Sequence, residues 1–529
     1  MRVAEFVGRT LAELGVRRVF GVVGSGNFHV TNALVAGGAT FVAAAHEGGA
    51  ASMADGYARV SGELGVLSVH QGPGVTNALT GITEAAKSRT PLLVLAAEAT
   101  QPRSNFFIDL PRTAAGLGVR FVRVRAEHAG SDLRSAHRLA AGGACVIVGL
   151  PLDVQLAEAV DDAPPDVAVP ETPPEVSMLV DALAAARRPV FIAGRGAARS
   201  PGARAALIAL ADRCGALLAT SAAAKGLFAG DPWNLDVSGG FATPLAAELI
   251  GAADLVVAWG STLNMWTTRH GRLIGPDAVV VRVDRDPAAL EVGVVGDVAQ
   301  VATAALSSTS EGYRSDLVRE RIAAEGRWRD VPYVDDGSGD RIDPRTLSIA
   351  LDDLLPFERT VAVDSGNFMG YPSMFLGVPD AAGFCFTQAF QSVGLGLASA
   401  LGAAVARPDR LTVAALGDGG FLMSAAELVT AVRLALPLVV VVYNDAAYGA
   451  EVHHFGPDGD PLGTVTFPDT DLAAIGAGYG CAAVTVRSAA DLSPVRDWLA
   501  GDRSRPLMID AKVSAARGSW WLEEAFRGH

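Results

Sequence analysis

A short apolar run, a glycine-rich turn and an alanine-rich amphipathic stretch follow one another along almost the whole chain. A run with no polar face needs cover on both sides, and the amphipathic stretch after it supplies one layer of that cover. The pattern predicts βαβ units and parallel sheets. The runs are 17–24, 41–47, 65–72, 91–99 and 144–151, then 188–196, 216–221, 253–261 and 278–286, then 360–366, 411–420, 437–445 and 505–513. Two stretches interrupt them. Residues 161–176 carry five prolines in 16 residues, and residues 330–344 are polar and follow a charged helical stretch; both read as linkers. The expected fold is α/β, with three doubly wound parallel-sheet domains at 1–160, 175–325 and 342–529. A length of 529 residues agrees, at roughly 100–200 residues per domain.

Composition narrows the function. A formal charge of −14 disfavours nucleic acid and anionic membrane surfaces as partners. No apolar run approaches the roughly 18 residues that span a bilayer. The first 24 residues read as an amphipathic helix and a strand, not a signal peptide. Cys145, Cys214, Cys385 and Cys481 lie far apart with no metal-ligand spacing, so reduced, buried thiols and a cytoplasmic location are expected.

In each domain polar residues sit where apolar runs end, the place where open α/β sheets bind ligands. The densest case is Gly417-Asp418-Gly419-Gly420, after a strand ending at Leu416 and ahead of a helix expected from about Ser424. Glycines there allow close backbone approach, and N–H groups at a helix start attract phosphate. Asp418 would repel phosphate unless a cation lay between them. Asn444 ends the next run, and a carboxylate with an amide oxygen from adjacent strand tips suits Mg²⁺. Asp-Gly and Asn-Asp are also common turn residues. The two halves together, GDG and then Asn after 24 residues, are far more specific than either.

This stretch resembles the signature of the thiamine-diphosphate enzymes. The resemblance implies Mg²⁺ held by Asp418, Asn444 and the carbonyl of Ala446. It also implies thiamine diphosphate lying against Gly417, Gly419, Gly420, Tyr448 and Gly449. Asp445 departs mildly from the family's frequent Asn-Asn. Such an enzyme needs a carboxyl on the cofactor's aminopyrimidine ring, and "AAAHEGGAASMADGYARVSG" resembles the family's glutamate region. Glu47 stands there among Ala and Gly at a strand-to-helix junction, where burial would raise its pKa. Residues 70–98 are similar to the Gly-Pro-Gly-x-Thr-Asn segment of acetolactate-synthase-like members, and 388–410 to the stretch before GDG. By that likeness Asn77, Gln391 and the wedge residue Val393 contact the cofactor, as do Gly24, Ser25, Gly366 and Asn367.

The likeness covers essentially the whole chain, in the order pyrimidine-binding, central and diphosphate-binding domain. It implies a homodimer or homotetramer with the cofactor at the subunit interface. The implied chemistry is loss of carbon dioxide from a 2-oxo acid. The remaining fragment is then joined to a second carbonyl, as in acetolactate synthases, or protonated, as in benzoylformate decarboxylase. Pyruvate oxidases instead oxidise it, and a non-catalytic relative is the remaining reading. His70 matches the place of a catalytic histidine in benzoylformate decarboxylase; His29 and Gln71 are further candidates facing the site. Ser25, Gly26 and Asn27 are candidates for the substrate carboxylate. His453 or His454 and the aromatic segment 519–526 follow where relatives build the pocket. FAD is not favoured: the central turn 194–202 lacks a full G-x-G-x-x-G, which also disfavours an NAD dehydrogenase. Residues 105–118 lack the Phe-Gln-Glu of biosynthetic acetolactate synthases.

Overall fold

The computed structural model describes residues 1–162, 173–290 and 292–522. It contains three six-stranded sheets, parallel throughout. The first comprises β1 (Arg18–Gly21), β2 (Thr40–Ala43), β3 (Gly65–Val69), β4 (Leu92–Glu98), β5 (Arg120–Arg123) and β6 (Cys145–Pro151) in the order β2-β1-β3-β4-β6-β5. The second comprises β7 (Pro189–Ala193), β8 (Leu217–Thr220), β9 (Asn234–Val237), β10 (Leu255–Trp259), β11 (Val279–Asp284) and β12 (Gly293–Val295), ordered β12-β11-β10-β7-β8-β9. The third comprises β13 (Arg359–Val363), β14 (Phe384–Phe386), β15 (Leu411–Gly417), β16 (Leu438–Asn444), β17 (Ala482–Val486) and β18 (Leu507–Lys512), ordered β14-β13-β15-β16-β18-β17.

The outer two domains therefore share one topology, while the middle one has the doubly wound dinucleotide-fold order. Its crevice, at the tips of β7 and β10, is stitched by backbone: Gly194 N–H donates to Trp259 O at 2.8 Å and Gly196 N–H to Gly260 O at 3.0 Å. A Cβ on Gly196 would stand 2.7 Å from Gly260 Cα. These glycines serve the chain's own packing.

Strands buried on both faces are continuous Val, Ile, Leu and Ala runs, as in β4, β6 and β16. The helices Glu47–Ser61 and Gly396–Ala406 cross so closely that first and third domains merge. A Cβ on Gly402 would meet Met53 O at 2.0 Å, and one on Gly56 would meet Ser399 O at 2.3 Å. One core accordingly runs from Met53 and Leu67 to Leu401 and Phe421. All four cysteines are buried and free. Among the described residues no helix is long and apolar enough to cross a membrane. The proline-rich stretch read as the first linker falls largely at 163–172, outside the described residues.

Candidate active site

Two clusters of polar side chains form, each at the carboxyl ends of parallel strands. In the third domain β15 and β16 are neighbours, with Gly417 opposite Tyr443, so Asp418 and Asn444 leave adjacent strand tips. The helix here begins at Asp418 itself and ends at Ser424, six residues ahead of the expected start. Glycine tolerates this early start because the backbone is already crowded. A Cβ on Gly419 would lie 2.4 Å from the Tyr448 ring, and one on Gly420 2.5 Å from Asp364 Oδ2 and 3.2 Å from Val393. A Cβ on Gly417 would lie 3.2 Å from the Phe368 ring.

Asn444 is 2% exposed, and its amide is oriented by its surroundings. Its NH₂ donates to the buried Asp510 carboxylate at 2.8 Å, which turns Oδ1 toward the loop that follows. Oδ1 accepts the Ala446 N–H at 3.1 Å and keeps a second lone pair. Ala446 takes φ +58°, a left-handed conformation that bends this loop. Its carbonyl accepts from Phe467 N–H at 2.7 Å, so one of its lone pairs is spent and one remains. Asp510 is in turn held by Lys512 at 3.1 Å and by Leu472 N–H at 3.0 Å.

Asp445 belongs to the same cluster. Its carboxyl lies against that of Asp418, and it and the Asn367 amide both border Gly449. A Cβ on Gly449 would stand 2.3 Å from Asp445 Oδ2. Burial raises the pKa of Asp418; burial and then the charge of Asp418 raise that of Asp445. Two carboxyls pressed together with raised pKa values, beside an amide oxygen and a carbonyl of spare capacity, form an oxygen donor set that a divalent cation fits. Asp364, wholly buried, accepts N–H bonds from Ser365, Gly394 and Leu395, and burial lifts its carboxyl to about 6. It thereby anchors the loop that carries Val393 and Gln391; Gln391 is exposed at φ +60°.

The first-domain cluster centres on Glu47, the first residue of its helix, with His46 capping through Nδ1 to Gly48 N–H at 3.0 Å. Asn77 donates to Glu47 Oε2 at 3.0 Å. Glu47 is half-buried rather than buried as expected, because the described residues leave the side of the helix start away from the sheet open. A Cβ on Gly74 would touch His70 Cβ at 3.2 Å and approach Glu47 Oε1 to 3.7 Å, so carboxyl and imidazole flank one glycine. His70 Nδ1 accepts the Gly26 N–H at 3.0 Å, which leaves the proton of the neutral ring on Nε2. Phe106 meets the imidazole edge-on at 5.3 Å. Gln71 is 5% exposed, and its Oε1, beside Gly26, has no hydrogen-bond partner among the described residues.

The turn after β1 uses several of its polar groups internally. Asn27 is consumed within it, accepting from Gly24 N–H at 2.8 Å and donating to Val22 O and Ser68 Oγ. The Gly26 N–H is taken by His70. His29 points off the exposed face of its helix and meets only Phe28 among aromatic rings, while Ser25 remains exposed. Of the adjacent histidines, His453 packs under Gly518, and its buried Nε2 has no hydrogen-bond partner among the described residues; burial lowers its pKa. Ser519 Oγ hydrogen-bonds Asn367, tying the C-terminal segment to the same cluster. Residues 523–526 of that segment lie outside the described residues.

Asp510, Asp445, Asp364 and Gln155 were not foreseen as parts of these clusters. Gln155 holds the first-domain turn through Gly26 O at 3.0 Å. Asp445 had a signal, its place next to Asn444; the other three become visible only in three dimensions. No hydrogen bond joins the two clusters among the described residues. Near the clusters their domains meet through Glu427, which accepts from Ala45 and His46 N–H at 3.1 Å each, and through Arg433 on Ala43 O.

Two sheets of one topology around a middle sheet, with an acid on the first and an Asp–Asn donor pair on the third, define a thiamine-diphosphate enzyme. Family models agree: the thiamine pyrophosphate enzyme N-terminal domain matches residues 1–133, the central domain 176–307 and the C-terminal domain 364–511. The chain is 31% identical to a probable 2-ketoarginine decarboxylase of Pseudomonas aeruginosa, over 96% of this chain and 93% of that one. It is 29% identical to the acetolactate synthase isozyme 2 large subunit of Escherichia coli, over 85% and 84% of the two chains. It is 28% identical to a sulfoacetaldehyde acetyltransferase of Alcaligenes xylosoxydans, over 85% and 82%. The protein belongs to the thiamine pyrophosphate enzyme family and is an enzyme of it.

Proposed function

We propose that the protein decarboxylates a 2-oxo acid with thiamine diphosphate and Mg²⁺ and joins the remaining fragment to a second carbonyl. The observation that carries this reading is the paired donor set of Asp418 and Asn444, oriented by Asp510 and crowded by Asp445. Asp418, the Asn444 Oδ1 and the free lone pair of the Ala446 carbonyl would hold the cation. Asn367, Gly419, Gly420, Tyr448 and Gly449 would border the diphosphate, and Val393, Gln391 and Asn77 the body of the cofactor. When bound, thiamine diphosphate supplies a carbon nucleophile and an electron sink for loss of carbon dioxide. Glu47, its carboxyl steadied by Asn77, would hold or release a proton toward the cofactor's aminopyrimidine ring. His70 offers its Nε2 proton to the substrate side of the cluster, and Gln71 orients a polar group there.

A second reading, simple decarboxylation, is favoured by His70, whose fixed tautomer suits protonation of the fragment, and by the 2-ketoarginine decarboxylase relative. The stitched crevice of the middle domain supports a reading without FAD. A homodimer or homotetramer in the cytoplasm completes the proposal; the half-exposed Glu47 and the apolar Phe28, Phe106, Leu422 and Met423 on the surface support association.

The test is a panel of 2-oxo acids, with and without aldehyde acceptors, in thiamine diphosphate and Mg²⁺, with products identified by mass. A 2-hydroxyketone supports carboligation, and an aldehyde alone supports the second reading. Loss of no carbon dioxide from any donor sinks both. Glu47→Gln should fold and bind cofactor yet lose most turnover, and undiminished exchange of the cofactor's C2 hydrogen would contradict its role.

A further inference from the structure

A buried ionic network lies apart from both clusters and touches all three domains. Asp55 and Arg59 stand one turn apart on the Glu47–Ser61 helix, paired at 2.8 Å, and Glu84 on the Pro73–Lys87 helix meets Arg59 at 2.7 Å. Both carboxylates are 1% exposed. Arg59 also donates to Ser88 Oγ at 2.8 Å, and Arg195 of the middle domain donates to Ser88 O at 2.7 Å. The network reaches the third domain at a single segment. Arg59 donates to Phe386 O at 2.7 Å, and Glu84 accepts from Ala389 N–H at 3.1 Å and Phe390 N–H at 2.6 Å. Lys87, three residues after Glu84, lies over the Phe390 ring at 5.6 Å.

Past Phe386, the last residue of β14, the segment through Gly394 is neither helix nor strand. Beyond Phe390 come exposed Gln391 at φ +60° and then Val393, after which Asp364 takes the N–H groups of Gly394 and Leu395. Two buried carboxylates from different domains thus grip the loop on either side of Gln391 and Val393. Apolar side chains of the same size would pack the helix pair at lower desolvation cost, since a buried charge is expensive unless it has specific partners. Here the partners are two successive backbone N–H groups of the neighbouring domain.

We propose that Glu84 is a positioning residue: from the first domain it sets the conformation of residues 389–393, and with it the seating of Gln391 and Val393 on the cofactor. The inference rests on the reading of those two residues as cofactor contacts. Glu84→Gln keeps the shape but turns an NH₂ toward one of the two N–H donors and leaves Arg59 short of charge.

The experiment compares wild type, Glu84→Gln and Ser88→Ala. It measures thiamine diphosphate affinity by calorimetry in excess Mg²⁺ and backbone hydrogen exchange across 384–396. Glu84→Gln should bind the cofactor about tenfold or more weakly, the scale of a lost charge-assisted hydrogen bond, and 389–393 should exchange faster while β4 is unchanged. Ser88→Ala, which spares the loop contacts, should bind within about twofold of wild type. A folded Glu84→Gln with a lower melting temperature but unchanged affinity and exchange overturns the proposal, as does a Ser88→Ala defect of equal size. Wild type supplies a check that needs no substitution. The amides of Ala389 and Phe390 should exchange about tenfold more slowly than those of Gln391 and Ser392, and equal rates overturn the inference. Wild type that binds no thiamine diphosphate sinks the parent reading instead, whatever Glu84 does.

Discussion

Asn444 shows how much of a ligand's usefulness is decided by its neighbour. An amide presents oxygen or nitrogen with similar shape, and the Asp510 carboxylate accepts only the nitrogen side. Partners of this kind typically change metal affinity by about 10–100-fold. Asp510→Asn should therefore raise the Mg²⁺ concentration needed for half-maximal cofactor binding by about tenfold or more while the protein stays folded. A fluorescence titration of cofactor binding against Mg²⁺ reads this, and an unchanged midpoint contradicts it. Asp418, Asn444 and Glu47 were legible in the sequence because their spacing and small-residue surroundings are local. Asp510 was not, since it sits on β18, 66 residues after Asn444, and nothing near it in sequence says which side chain it faces.

At the scale of elements, the interior strands read easily and the edges, β2 apart, did not. β5, β9, β12, β14 and β17 are absent from the sequence reading, and each of them lies at an edge or is the last strand of its sheet. Edge strands have one pairing neighbour and one side near water, so they are short and only partly apolar, as the half-buried pattern of β17 and β5 shows. The helix start at Asp418 was misplaced for another reason: three glycines looked like loop, whereas they are small because Tyr448, Asp364 and Phe368 press on them. The same logic governs the helix crossing between first and third domains. Gly402→Val places methyl groups where Met53 O already stands and should destabilise the chain by about 1–3 kcal/mol. Urea unfolding measures this; a loss below about 0.5 kcal/mol would mean that the helices part without cost.

For the whole molecule the consequence is a link between pH and cation binding. Burial lifts Asp364 to about 6 from an ordinary 3.8, and Asp418 and Asp445 shift in the same direction. The folded state then holds more protons than the unfolded chain above about pH 4, so these groups favour folding at low pH and their contribution is lost as pH rises through about 6. A cation held by Asp418 would compete with the protons that Asp418 and the neighbouring Asp445 hold, so its stabilising effect should grow with pH. Melting temperatures from about pH 5 to 7.5 should fall in chelator and fall less, or rise, with Mg²⁺ and thiamine diphosphate. An Mg²⁺ increment that shrinks with rising pH would contradict this account.

The helix that begins at Glu47 is buried at every position from Ala50 to Ala58 and carries Asp55, paired within it to Arg59, together with Gly56 and Arg59, which both meet the third domain. Its register admits no sliding, because a shift of one residue would move the acid, the crossing glycine and the ionic lock together. The loops at 101–107 and 457–464 are mostly exposed and take no part in that lock. Laboratory evolution toward a new substrate therefore has room in those loops and almost none in this helix: the reaction is inherited with the scaffold, and the choice of substrate is left to its margins.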